Sequence, residues 1–182
     1  MYPPVDTDRF SAISDSTPRS GYVTLGRLVP QKKLHIIIAA CNELALQLTV
    51  IGRGPEYVRL QSIAGPTITF MTNVTDEQLP LQLAKAEAFI FAAEEDFGMA
   101  PVEAMAAGTP VIAYKAGGAL DYVIEGKTGQ FFTNLSIESL GNCLQDFNAS
   151  KYSIDDIKST ARKFSTDIFI KNIRKAVNNT VQ

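Results

Sequence analysis

The sequence has 182 residues, room for one domain of ordinary size and little more. Hydrophobic residues make up 46% and charged residues 20%, which excludes a disordered or fibrous chain. Seventeen Lys and Arg against nineteen Asp and Glu leave a net charge of -2, so no global positive field would gather nucleic acid or anionic lipid. The two cysteines, Cys41 and Cys143, stand too far apart in sequence to suggest a disulfide framework. The single histidine, His35, has no second metal ligand at helical or turn spacing and reads as a surface or half-buried helix residue. No apolar run reaches the ~18 residues that would span a bilayer, and the opening Met1-Tyr2-Pro3-Pro4-Val5-Asp6 lacks a basic and an apolar leader region. These features point to a reducing, cytoplasmic setting, with any membrane contact made through a part outside this sequence.

Residues 1–20 carry adjacent prolines, several Asp, Ser and Thr, and no hydrophobic period, and read as an interdomain linker or a strap on a surface. Residues 21–165 alternate short apolar runs with amphipathic stretches. Strands are predicted at Tyr22–Gly26, Gln47–Gly52, Thr67–Phe70, Ala88–Phe91, Pro110–Tyr114 and Gly129–Phe132. Between them helices are predicted at Leu34–Leu44, Glu56–Ile63, Asp76–Ala86 with Asp76 as N-cap, Pro101–Ala107 and Ala119–Ile124. The alternation implies right-handed crossovers and a Rossmann-like α/β domain, its mostly parallel sheet flanked by helices and its ligand at the carboxyl ends of the strands. The last third is helical, at Ser136–Phe147, Ile154–Phe164 and Thr166–Val181. Residues 166–182 form a closing helix with an apolar stripe of Ile168, Phe169, Ile173, Val177 and Val181, which packs on its own domain or reaches toward a missing one.

Three groups of residues are able to carry chemistry. Gly26-Arg27-Leu28, with Lys32 and Lys33, follows the first strand, where cations would face an anionic ligand; cations in a loop are also commonly solvated surface charges. Gly52-Arg53-Gly54-Pro55 lacks the third glycine of a dinucleotide fingerprint and follows the wrong strand, so it reads as a tight turn needing positive φ. The third group is Glu95-Asp96-Phe97-Gly98-Met99-Ala100-Pro101-Val102-Glu103, which leaves a strand, passes a glycine and opens a helix at Pro101. Amides at such a helix start favour an anion, while Glu95 and Glu103 would accept hydrogen bonds from hydroxyls. A ligand with phosphate and hydroxyls, a nucleotide sugar, satisfies both. The plain alternative is a helix-start charge and an exposed surface glutamate.

The stretch from Glu95 to Ala113 resembles the Glu-x7-Glu signature of the retaining glycosyltransferases with the GT-B fold, family 4, group 1. Pro3-Pro4-Val5-Asp6 with Phe10, Gly26-Arg27-Leu28-Val29-Pro30-Gln31-Lys32, Val50-Ile51-Gly52-Arg53-Gly54-Pro55 and Gly117-Gly118 match it in order, so the likeness covers nearly the whole chain. Its general look is similar to mannosyltransferases of surface-polysaccharide assembly. The resemblance implies that Arg27 and Lys32 hold the donor diphosphate, with Gly26 beside them. It also implies that Glu103 binds the ribose, Glu95 addresses the transferred sugar, and Phe97, Gly98 and Met99 offer backbone amides. Asn73 and Val74 would lie along the base. The sequence departs from the family pattern at Lys33 and Thr72, where glycine is frequent, and at Asp121, where glutamate is.

The reaction so implied is retaining, with neither metal nor cofactor, and draws most of its rate from cations and amides aimed at the leaving diphosphate. A GT-B enzyme has two halves, and the likeness begins at the linker after the first. The chain therefore resembles the C-terminal, donor-binding half, its partner being an N-terminal acceptor-binding domain in the same or another chain. GDP-mannose is the favoured donor, with UDP-linked glucose, galactose or N-acetylglucosamine open. Two other readings stand beside it: a subunit of a split glycosyltransferase, and a nucleotide-binding module without catalysis.

Overall fold

The computed structural model describes residues 2–180, so Val181 of the expected helical stripe lies outside the described residues. Six strands form one sheet: β1 Tyr22–Leu25, β2 Leu48–Ile51, β3 Ile68–Met71, β4 Ala88–Phe91, β5 Val111–Tyr114 and β6 Gly129–Phe132. Their order is β3-β2-β1-β4-β5-β6, and every pairing is parallel. All six predicted strands are present, within a residue or so at each end. β4, Ala-Phe-Ile-Phe, is buried at every position, as a central strand covered on both faces requires, whereas the edge strand β3 is half-exposed.

Helices α1 Thr7–Ser11, α4 Leu79–Ala84, α5 Met99–Ala106 and α8 Ile154–Ala161 lie on one side of the sheet. They pack around Phe10, Phe89, Phe91, Met105 and Phe164. Helices α2 Leu34–Glu43, α3 Tyr57–Ser62 and α7 Ile137–Asp146 cover the other, around Ile37, Ile38, Leu48, Ile90 and Leu140. The short α6 Ala119–Tyr122 follows β5, and α9 Thr166–Thr180 closes the described chain. Cys41 and Cys143 are buried and unpaired. His35 is half-buried on α2, and burial lowers its pKa, with Arg59 and Lys33 adding to the shift. Among the described residues no helix is long and apolar enough to cross a membrane.

Three expectations need correction. The opening segment is more than a strap on a surface: Val5 is 2% and Phe10 0% exposed, and the Val5 amide donates to the Phe164 carbonyl at 2.9 Å. The short apolar content of this segment hid its burial, because two residues that enter the core leave no period. Asp76 is not the cap of α4. Thr75 and Gln78 cap each other's amides through their side chains instead, a capping box that begins one residue earlier. Helix α5 starts at Met99, so Pro101 lies within its first turn, where a missing N–H costs nothing.

The turn after β2 is a tight one, as expected. Gly52 has φ +141°, and a Cβ there would fall 1.9 Å from the Gly26 carbonyl oxygen. The turns that end β1 and β2 are therefore packed backbone to backbone.

Candidate active site

β1 and β4 are neighbours in the sheet although two strands lie between them in the chain, so the strand order reverses between them. At such a switch point the connections leave in opposite directions and open a crevice at the carboxyl ends. Gly26 and Arg27 leave β1 there, and Glu95 follows β4 there. The chain after Arg27 makes a 3-10 turn at Pro30–Lys32 and then places Lys33 at φ +54° before α2 begins. That left-handed conformation accounts for the preference for glycine at this position in the family pattern, and Lys33 adopts it despite its side chain.

The turn carries Lys32 across the crevice to an ion pair with Glu95. The two side chains are 22% and 30% exposed, and the Lys32 ammonium also stands 5.9 Å from the Phe91 ring centre. Glu95 is anchored through its backbone, since the Gly118 amide donates to its carbonyl at 2.8 Å. Arg27 is exposed, and its guanidinium has no hydrogen bond or ion pair among the described residues. One cation is thus free, and the other is held by the carboxylate beside it.

Gly98, at φ +81°, turns the chain from the Glu95 loop into α5, and no side chain caps that helix. Among the described residues nothing accepts from the amides of Gly98, Met99 or Ala100. Three unclaimed donors at a helix start make an anion-binding end. Phe97 contributes only backbone to the crevice, because its ring is buried against Tyr122 at 5.6 Å and Phe164 at 5.3 Å. Met99 is exposed, and Glu103 lies one turn further along, on the same face at i+4.

Glu103 is partly buried, and no hydrogen bond or ion pair engages its carboxylate among the described residues. Burial pushes its pKa above the ordinary carboxylate value, opposed by Arg9 and reinforced by Asp76. Val74, on the loop after β3, is partly buried against the core cluster to which Val102 and Met105 of α5 also belong. Asn73 is exposed, and its side-chain oxygen is taken by the Arg53 guanidinium, which also donates to the Thr72 carbonyl.

The predicted residues therefore form two linked groups. Gly26, Lys32 and Glu95 meet at the switch point, with the exposed Arg27 next to Gly26 in the chain, while Phe97, Gly98, Met99 and Glu103 follow along the loop and helix. Asn73 and Val74 stand on the neighbouring loop. Sequence reasoning missed Arg53 as a clamp on that loop, Arg9 as the cation facing Glu103, and the buried Tyr122 hydroxyl beneath Gly98. For Arg53 the signal was its place between two glycines at a strand end; for Arg9 and Tyr122 there was none.

Cations and open amides flanked by two carboxylates suit a ligand that is anionic at one end and hydroxylated at the other. The model of the glycosyl transferases group 1 family matches residues 7–164. The chain belongs to that family. Among curated relatives of this chain, a GDP-mannose-dependent alpha-(1-6)-phosphatidylinositol monomannoside mannosyltransferase of Mycolicibacterium smegmatis is 30% identical over 175 residues. The match takes in 81% of this chain and 46% of that one. A GDP-mannose-dependent alpha-mannosyltransferase of the same organism is 36% identical over 116 residues, 63% of this chain and 30% of the relative. The chain thus spans less than half the length of either.

Among solved structures, Anabaena HepE in complex with UDP and glucose superposes with a TM-score of 0.80 at 23% identity, over 97% of this chain and 55% of that one. A glycosyltransferase from Rickettsia africae gives 0.82 at 16% identity, over 99% and 56%. The expected architecture, a single α/β domain of the kind found in GT-B glycosyltransferases, is the one these neighbours share.

Proposed function

We propose that this glycosyl transferase domain binds a nucleotide-diphosphate sugar, GDP-mannose foremost, and presents it for retaining transfer to a glycan or a lipid-linked acceptor. The observation that carries the reading is the switch-point cluster, in which Lys32 pairs with Glu95 and the exposed Arg27 follows β1, beside the uncapped start of α5. The diphosphate takes Arg27, Lys32 and the amides; Glu95 takes sugar hydroxyls; Glu103, open and partly desolvated, takes the ribose. Asn73 and Val74 lie along the base. Fixed cations at the leaving oxygen lower the barrier without a metal ion or cofactor. The mannosyltransferase names of the curated relatives support guanine and mannose as the first choice. The unpaired buried cysteines support a cytoplasmic site of action.

The acceptor site belongs to a second domain, so the chain alone binds donor and transfers little. A split enzyme is favoured by one specific feature: Ile170, Ile173 and Val177 of α9 are exposed, as is Tyr2. An apolar helix face of this kind suits a partner domain or subunit.

Calorimetric titration with GDP, UDP and ADP, without divalent metal, tests the proposal. One nucleotide binds, and Glu103→Ala weakens it by about 1 to 3 kcal/mol, the cost of losing a partner to buried hydroxyls. Failure of all three nucleotides to bind, or an unchanged affinity in the variant, would remove the donor site or the ribose assignment respectively.

A further inference from the structure

Tyr122 is the last residue of α6 and is 0% exposed, yet its hydroxyl has no hydrogen-bond partner among the described residues. Buried hydroxyls are nearly always paired, so an orphan beside a candidate site calls for an explanation. Its surroundings are specific. A Cβ on Gly98 would fall 3.1 Å from the hydroxyl, which puts the oxygen directly under the residue that opens α5. The ring is held by Phe97 on one side and Phe164 on another, at 5.6 and 6.2 Å between centres. Glu95 and Asp121 are the charged groups close enough to disfavour ionisation of the phenol, which burial chiefly prevents. Tyr122 therefore remains a neutral O–H donor with nothing to donate to.

The Gly98 Cβ position also lies 3.0 Å from the Phe91 ring, and the Lys32 ammonium that holds the Glu95 carboxylate stands 5.9 Å from the centre of that ring. The Glu95 backbone is pinned by Gly118, but among the described residues its side chain has Lys32 as its one partner. Any diphosphate drawn to Lys32 must take that partner away, which would leave a carboxylate that is only 30% exposed without a donor.

We propose that Tyr122 is a positioning residue: when phosphate claims Lys32, the Glu95 carboxylate turns to the Tyr122 hydroxyl. One oxygen of Glu95 then accepts from Tyr122, and the other stays open for a sugar hydroxyl. The idle O–H of the free protein is a donor held in reserve for the bound state. This rests on the donor-site reading above.

The two states make opposite demands on the hydroxyl, and Tyr122→Phe separates them. In the free chain the substitution removes an unsatisfied buried group and raises Tm by about 2 °C or more. In titration with GDP-mannose, UDP-glucose and the parent diphosphates it weakens the ligand that the unaltered chain binds, by roughly tenfold. On a Glu95→Ala background the same substitution leaves affinity unchanged, because the acceptor is gone. A lower Tm, an unchanged affinity, or an equal loss on the Glu95→Ala background would overturn the proposal while leaving the donor site intact. An unaltered chain that binds none of these ligands would overturn both.

Discussion

Lys32 and Glu95 are assigned to the two ends of one ligand, yet in the free protein they satisfy each other. A nucleoside diphosphate must therefore compete with an internal carboxylate for its cation. Glu95→Gln removes the competing charge and keeps the shape. We expect it to tighten a bare nucleoside diphosphate by about two- to fivefold, the range of a partly exposed ion pair, and calorimetry at low salt reads the change. A weaker diphosphate would show that the pair does not guard the site. The residue types and their spacing around Glu95 and Glu103 were legible in the sequence, because a helix start between two carboxylates has few uses. That Lys32 reaches Glu95 was not, since 63 positions separate them and only the pairing of β1 with β4 brings them together.

Among the elements, the six strands were legible because β-branched and aromatic residues cluster in runs between turn signals. The same reasoning misread α1. Five residues with Phe10 as their main apolar anchor carry no helical period, and their burial depends on a surface that α5, α8 and Phe164 build later in the chain. Phe10→Ala tests how far this segment belongs to the core. Emptying a site that is 0% exposed should cost about 3 to 5 kcal/mol, read as a lower urea midpoint. A loss below about 1 kcal/mol would return the segment to the status of a loose strap. The cap of α4 was misplaced for a smaller reason: Thr75 and Asp76 are both good caps, and only the reach of Gln78 back to Thr75 decides between them.

At the level of the whole molecule, the strand order puts the site where the fold makes a crevice, and that much followed from the alternation of strands and helices. The role of α9 did not. Its amphipathic pattern fits a helix packed on its own domain equally well, but Ile170, Ile173 and Val177 stay exposed, so its apolar face does little for this core. Truncation after Lys171 should therefore shift folding stability by no more than about 0.5 kcal/mol in urea denaturation. A large loss would show that the helix is part of the domain after all.

The bond between Val5 and Phe164 joins residues far apart in the chain, so the first emerges from the ribosome well before the second. Until Phe164 is made, Val5 and Phe10 have no finished surface to enter, although they are translated well before it. In that interval the nascent domain carries two of its own core residues uncovered, and its folding cannot be completed from β1 forward. The order in which this domain becomes stable is set by α8 and the turn that carries Phe164, and chaperone demand should be greatest just before they appear.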